Sequence, residues 1–466
     1  MTAQDTFPAH IFFAGIGGVG VSALAQVALS RGSRVSGSDI HADIDSNPAL
    51  ARLVAAGANV YAGHQAKNLG VDTDLVVASA AIASSSPELA AAAQLEVPIV
   101  SRAEFLGRLM SAHVGCTIAI AGTHGKTTTT AMAGVALVTA GCNPTVFVGG
   151  EVPQLGGNVV TGTPRGPFVA EACEAYDSFL WLVPNVAIIT NIEPDHLDHF
   201  GTEDRMMASF RTFAGAVLAN GGSLILCRDD RGVRQLAKDL PTDSAIAWYG
   251  MQDAANVALD AGSSFEWRDR LVKLRVPGSH NVSNALAVLT LCDVLPGVSC
   301  DSIIEGIQQF RGVNRRQQLL GTIKLGDGDV AVLDDYAHHP TEIAATLRAL
   351  ASAYTHRRTV LVFQPHLYSR TRDFLREFAT VLSEVGVLVL APIYAAREED
   401  PGDISSSVLA NEIQRIHADK QVLLAHTADD VPGLLQSVIQ PDDLLVFMGA
   451  GDIIRQADRL DGLIRV

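Results

Sequence analysis

The residues Thr117-Ile-Ala-Ile-Ala121 pass directly into Gly122-Thr-His-Gly-Lys-Thr127 and then into a Thr/Ala-rich stretch with helical character. No other feature narrows the fold as much. A short, wholly apolar strand belongs inside a parallel sheet, covered on both faces. Glycines at its end let backbone N–H groups crowd around an anion, and the following helix adds its positive end at the same point. The loop is a G-x-x-G-K-T and not the longer GxxxxGK[ST], because Ile120 stands five positions before Gly125. Gly122, Thr123, His124 and Gly125 form the cradle, with Lys126 able to reach β- and γ-phosphates. Thr127, followed by Thr128, can offer a hydroxyl to Mg²⁺. Gly-Lys-Thr is common by chance in loops, but between a buried strand and a helix it points to ATP.

A similar unit opens the chain. An apolar strand at 10–14 leads into Gly15-Ile-Gly-Gly-Val-Gly20 and a helix over 21–30, with further strands at 34–39, 75–78 and 99–100. This alternation predicts a parallel sheet with helices on its faces. Gly17, Gly18, Val19 and Gly20 would let a diphosphate approach the helix N-terminus, and Asp39, after Ser38, ends the second strand where a ribose-binding acid sits. Taken alone, the loop fits NAD, a UDP-type ligand or merely a tight turn.

Two acidic segments follow apolar strands of the central region, Glu171-Ala-Cys-Glu174 and Asn191-Ile-Glu-Pro-Asp-His196. Carboxylate and imidazole at strand ends beside a phosphate loop suit Mg²⁺, which takes few protein ligands and keeps several waters. Glu174 and His196 are the expected ligands; Glu171, Asp195, Asp198 and His199 read as solvated loop residues. His280, Asn281 and Asn284 open a later helix, and Arg315-Arg316 could stabilise charge on a transferred phosphoryl group. A third alternation has strands at 330–333, 359–363, 387–390 and 444–448. Ligands collect at carboxyl ends of such strands, which singles out His338, His339, His366 and Arg370 for an anionic or amino-acid substrate. The fold class expected is α/β in three domains: Rossmann-like over 1–113, P-loop ATPase-like over 114–318 and Rossmann-like over 319–466.

Composition removes several alternatives. With 34 Lys+Arg against 50 Asp+Glu, the net charge of −16 argues against a sequence-blind nucleic-acid binder or a basic membrane-surface protein. One long uncharged run, between Lys126 and Glu151, is broken by Gly134, Gly141, Asn143 and Pro144, so it reads as helix, turn and strand instead of a membrane span. The start lacks a basic segment and an apolar segment, and six cysteines without a CxxC pair suggest reduced thiols. A cytoplasmic protein, monomer or homodimer, with small-molecule substrates and no nucleic-acid or membrane partner, is expected.

The segments Gly15–Gly20, Ser36–Asp39, Ala121–Thr130, Asn191–His196, Val276–Asn281, Asp334–Thr341, Phe363–His366 and Tyr368–Thr371 together resemble the Mur ligase family, in its order and over nearly the whole chain. Within the family the resemblance is to the alanine-adding branch. It implies a UDP-sugar domain, an ATP and Mg²⁺ domain and an amino-acid domain. It also implies phosphorylation of the lactyl carboxylate of UDP-N-acetylmuramate by ATP, then attack by L-alanine on the acyl phosphate. By the same resemblance Lys126 and Thr127 serve phosphate and one Mg²⁺, Glu174 and His196 the second, and Asn281 and Arg316 ATP. Asp335 would lie near the ATP ribose. His339, His366 and Arg370 would face substrate carboxylates, and Gly17, Gly18, Val19, Gly20, Ser38, Asp39 and Ser79 would line the UDP-sugar site. Three positions depart from the family's usual pattern: Leu367 in place of Arg, Gln317 in place of Phe, and Cys173 in place of Asp. No lysine lies between Lys126 and Lys238, so the carbamylated lysine of related ligases has no counterpart there. The rivals are a recycling ligase that adds a tripeptide, an NAD-dependent dehydrogenase and a non-catalytic nucleotide sensor.

Overall fold

Buried apolar strands set the architecture of the computed structural model, which describes residues 7–44 and 47–465. The reading of the chain's first six residues lies outside that range. In the first sheet, β1 (His10–Ala14), β2 (Arg34–Asp39), β3 (Asn59–Ala62), β4 (Leu75–Ala78) and β5 (Ile99–Ser101) run parallel in the order β3-β2-β1-β4-β5. The order reverses between β1 and β4, so the glycine loop after β1 and Ser79 after β4 flank a topological switch point. A Cβ on Gly15 would lie 3.0 Å from that of Ser79, which measures how close the two loops come.

The second sheet contains β6 (Thr117–Ala121), β7 (Thr145–Val152), β8 (Gly157–Val160), β9 (Phe168–Glu171), β10 (Val186–Ile189), β11 (Ser223–Cys227) and β12 (Ile246–Tyr249), in the order β12-β11-β10-β6-β9-β7-β8. All pairs are parallel except the edge pair β7–β8. Every residue of β6 is buried, as its composition requires. Its neighbours on either side are β9 and β10, the two strands that lead into the acidic segments.

A small antiparallel sheet of β13 (Ala255–Leu259), β14 (Ser263–Trp267) and β15 (Arg270–Leu274) precedes the helix Ser279–Leu289. The last sheet holds β16 (Gln318–Leu325), β17 (Gly328–Asp335), β18 (Thr359–Phe363), β19 (Val387–Leu390), β20 (Val422–Leu424), β21 (Leu444–Met448) and β22 (Leu463–Arg465), ordered β20-β19-β18-β21-β17-β16-β22. Strands β17 to β21 are parallel, and β16 is antiparallel to both β17 and β22.

The fold is α/β, as expected. Two compact units divide the chain: 1–250 with 285–307, and 251–284 with 308–466. The segment expected as one central domain is therefore shared between them. Within the second unit Lys273 N–H donates to Gln308 Oε1 at 3.2 Å, and a Cβ on Gly278 would meet Ala349 of the helix Pro340–Ala353. Among the described residues no helix is long and apolar enough to cross a membrane. The six cysteines are free thiols.

Candidate active site

The loop after β6 needs glycine at two points. Gly122 has φ +128° and Gly125 has φ +81°, both in the region that side chains disfavour, and Gly125 caps the helix Lys126–Thr139. The loop is fastened to the segment after β10. Thr123 N–H donates to Asn191 O at 3.0 Å, His124 N–H to Asn191 Oδ1 at 2.7 Å, and Asn191 Nδ2 back to His124 O at 2.9 Å. Thr123 Oγ1 also donates to Glu193 O and accepts from Glu193 N–H. These bonds fix Thr123 and His124 against Asn191 and Glu193. Thr128 lies in the first turn of that helix, half-buried.

Lys126 and Glu174 meet here. Lys126 Nζ lies 2.8 Å from Glu174 Oε2 and donates to Oε1 at 3.1 Å, to Gly122 O at 2.6 Å and to Thr123 O at 2.9 Å. Burial alone would lower the ammonium's pKa; the charge of Glu174, with Cys173 and Glu171, outweighs it and raises the pKa well above the ordinary lysine value. Glu174 is 1 % exposed. His196 brings Nε2 to 3.8 Å from Glu174 Oε1 and stands in the left-handed region at φ 52°. Beside them, burial first and then Glu174 push the Cys173 thiol up to about 11, so it stays protonated. In place of the family's usual carboxylate, a neutral group therefore stands there.

Glu171, read from the sequence as a solvated loop residue, is the last residue of β9 and half-buried. It accepts from Thr127 Oγ1 at 3.0 Å and from Gly149 N–H at 2.7 Å. A carboxylate in the final strand position beside the phosphate-loop strand was the signal available for it. The donor set of Thr127, Glu171, Glu174 and His196 is mostly hard oxygen with one imidazole, which fits Mg²⁺ with water completing its shell. Asp195, read from the sequence as a solvated loop residue, is instead buried and brings Oδ2 to 3.9 Å from His196 Nε2.

A cleft of about 280 Å³ runs from the glycine loop of the first sheet to this point, lined by Val19, Gly20, Arg102, Glu171 and Cys173. Gly18 and Val19 are exposed at the start of the helix Val19–Ser30, and Arg102 crowds Gly20. Ser38 and Asp39 are placed differently from the expectation that they meet a ligand. Ser38 is fully buried, with Oγ 2.9 Å from His64 Nδ1. Asp39 accepts from Gly17 N–H at 2.9 Å and from His41 N–H at 3.0 Å. Asp39 braces the glycine loop through its carboxylate, and Ser38 through its carbonyl, which accepts from Gly15 N–H at 2.8 Å and Ile16 N–H at 3.1 Å.

In the other unit Asp335 is likewise engaged: buried, it accepts from Gln317 N–H and Ala337 N–H, each at 2.8 Å. Burial raises its pKa. It braces its loop instead of presenting a free carboxylate to a ribose. Asn281 is buried and donates to Pro277 O at 2.8 Å. Arg316 lies over the Tyr336 ring, 5.1 Å from its centroid, and 3.6 Å from Glu342. Gln317 places Nε2 3.4 Å from His280 Nε2, whose pKa burial, with Arg316 and Arg348, pushes down to about 4. His339 is buried, caps the helix Pro340–Ala353 through Nδ1 and packs against Phe374. His366 stacks on Tyr394 at 5.6 Å and meets the buried Arg370 at 3.3 Å. Leu367, where a cation was expected from the resemblance, is buried at φ 70°. Hence the carboxyl ends of β17 and β18 gather His338, His339, His366 and Arg370, with His338 and His366 ring centroids 5.9 Å apart.

Three family profiles cover most of the chain: Mur ligase family, catalytic domain, at residues 10–114; Mur ligase middle domain at 120–292; and Mur ligase, glutamate ligase domain, at 315–451. The UDP-N-acetylmuramate–L-alanine ligase of Clostridium tetani is 39% identical over 459 residues, 96% of this chain and 97% of that one. That of Thiobacillus denitrificans is 41% identical over 467 residues, 97% of each. The solved structure of the UDP-N-acetylmuramate–alanine ligase of Thermotoga maritima superposes with a TM-score of 0.78 at 29% identity, covering 97% of both chains.

Proposed function

Because the chain belongs to the Mur ligase family, we propose that it joins L-alanine to the lactyl carboxylate of UDP-N-acetylmuramate at the expense of ATP, a step of peptidoglycan precursor synthesis. One observation carries the reading: adjoining strands β6, β9 and β10 bring a lysine-bearing phosphate loop, a buried carboxylate and an imidazole together, and Glu171 and Cys173 beside them line a cleft shared with Val19 and Gly20 of the first sheet's glycine loop.

The chemistry follows from that layout. A UDP-sugar held at Gly17, Gly18, Val19 and Gly20, with Ser79 across the switch point and Ser38 and Asp39 behind the loop, extends its lactyl carboxylate along the cleft. ATP lies with its phosphates on Gly122, Thr123, His124, Gly125, Lys126, Thr127 and Thr128; the family resemblance gives Asn281 and Arg316 to ATP as well, and Asp335 braces the loop of Arg316 through Gln317 N–H. A carboxylate oxygen attacks the γ-phosphorus, the bond to the β-phosphate oxygen breaks, and ADP leaves. The amine of L-alanine then attacks the acyl carbon, phosphate leaves, and the nitrogen loses a proton. Mg²⁺, held by Thr127, Glu174 and His196, would neutralise the charge on the phosphates. Lys126 adds the protein's own positive charge to the same oxygens. His339, His366 and Arg370 supply donors for substrate carboxylates. The reaction belongs in the cytoplasm, on a monomer or homodimer.

The test is ADP release from purified protein given ATP, Mg²⁺ and UDP-N-acetylmuramate, with each of the twenty amino acids and with the tripeptide. Release driven by L-alanine is the expected result. Release driven by the tripeptide would favour the recycling alternative, and no ATP consumption with alanine would overturn the reading.

A further inference from the structure

We infer that the Asp177–His199 ion pair is a clasp that sets the spacing of the loops carrying Glu174 and His196, making both residues positioning residues for divalent-cation binding. The inference rests on the reading above, in which those two side chains hold Mg²⁺. Asp177 follows Glu174 by three residues and His199 follows His196 by three, so each half of the pair sits one turn beyond an assigned ligand. His199 Nε2 donates to Asp177 Oδ2 at 2.8 Å, and Ser209 Oγ donates to Asp177 Oδ1. One carboxylate therefore ties the segment after β9 to the short helix Leu197–Phe200 and to the long helix Glu203–Ala219. That long helix is anchored in the core by Met206, Phe210 and Phe213, so the reference point is rigid.

The backbone shows what the clasp holds. Tyr176 and Asp177 both have φ 54°, with ψ 33° and 24°, and His196 has φ 52° and ψ 35°. None is glycine, and a side chain is sterically disfavoured in the left-handed region. Such conformations persist only where the surroundings over-determine them. Here the constraint is the carboxylate–imidazole contact, reinforced by the Tyr176 ring 5.1 Å from that of His199. The side chains of His199 and Asp177 are 29% and 39% exposed. A pair so exposed adds little to global stability. Its leverage is local: it fixes two turns whose assigned ligands lie 3.8 Å apart.

The experiment measures Mn²⁺ binding to the full chain by electron paramagnetic resonance, alongside the Mg²⁺ dependence of ADP release. His199→Phe keeps the ring packing on Tyr176 and removes the donor; His199→Gln keeps a donor. For His199→Phe we expect a Mn²⁺ Kd raised about tenfold, the lower end for a residue supporting a metal ligand. The half-saturating Mg²⁺ should rise with it while kcat at saturating Mg²⁺ changes little. His199→Gln should recover most of the affinity, and Asp177→Ala should reproduce the loss. Wild-type Mn²⁺ affinity in a folded His199→Phe would overturn the clasp. So would failure of both His199→Phe and Asp177→Ala to fold, since the pair would then serve the fold itself. Glu174→Gln separates the two levels: if it binds Mn²⁺ as the wild type does, the metal assignment fails, whatever His199 does.

Discussion

Replacing Lys126 by alanine removes the counter-charge of a carboxylate that is 1 % exposed. Glu174 is then left buried without its cation, which costs about 3–5 kcal/mol for a buried pair stripped of one member. Urea unfolding of wild type and Lys126→Ala at pH 7 measures this difference. Lys126→Ala/Glu174→Gln should restore most of the stability, because no charge is left unpaired. A loss below about 1 kcal/mol at pH 7 would refute the buried pairing. In the same variant ADP formation should fall by at least about a thousandfold, with calorimetric binding of UDP-N-acetylmuramate nearly unchanged. Near-normal ligation would refute the phosphate role.

Three further substitutions probe other parts of the site. Gly122→Ala would place a Cβ against Thr190 Oγ1 and within 2.9 and 3.0 Å of the Asn191 backbone at φ +128°; we expect ATP affinity by calorimetry to fall at least about tenfold, and unchanged affinity would show that the loop has room to adapt. Gly18→Leu, at an exposed position with ordinary φ, should raise the KM for the UDP-sugar far more than that for ATP, and equal effects would undo the assignment of the first sheet. His280→Gln removes an imidazole whose pKa is pushed down to about 4. Between pH 6.5 and 4 the unfolded wild type binds a proton that the folded chain refuses, so its stability relative to His280→Gln should drop by up to about 3 kcal/mol as pH falls through that window. A pH-independent difference in urea midpoints would show that His280 titrates normally.

Which elements were legible follows from burial. β1, β6, β18, β19 and β21 are buried along their whole length or nearly so, and unbroken apolar runs announce such strands. β3, mostly exposed, and the edge strands β8, β12, β20 and β22 carry no such run and were not expected. The hairpin partner β16 was missed for the same reason. At the site, strand-end position alone pointed to Glu174 and His196, which lie 3.8 Å apart. It could not tell an acid that faces a ligand from one that faces its own backbone, which is why Asp39 and Asp335 turn out as braces. Glu171 was misjudged because β9 runs one residue beyond its apolar run. The partnership of Asp177 and His199 spans 22 residues and exists only through tertiary packing.

The strand beneath the phosphate loop is the middle member of seven, with three neighbours on each flank. Amide hydrogens of Ile118 to Ala121 should accordingly be among the last in their unit to exchange with solvent. Warming would loosen the rim at β12 and β8 first, so a preparation can lose the order of its periphery while the lysine and its carboxylate stay where they are.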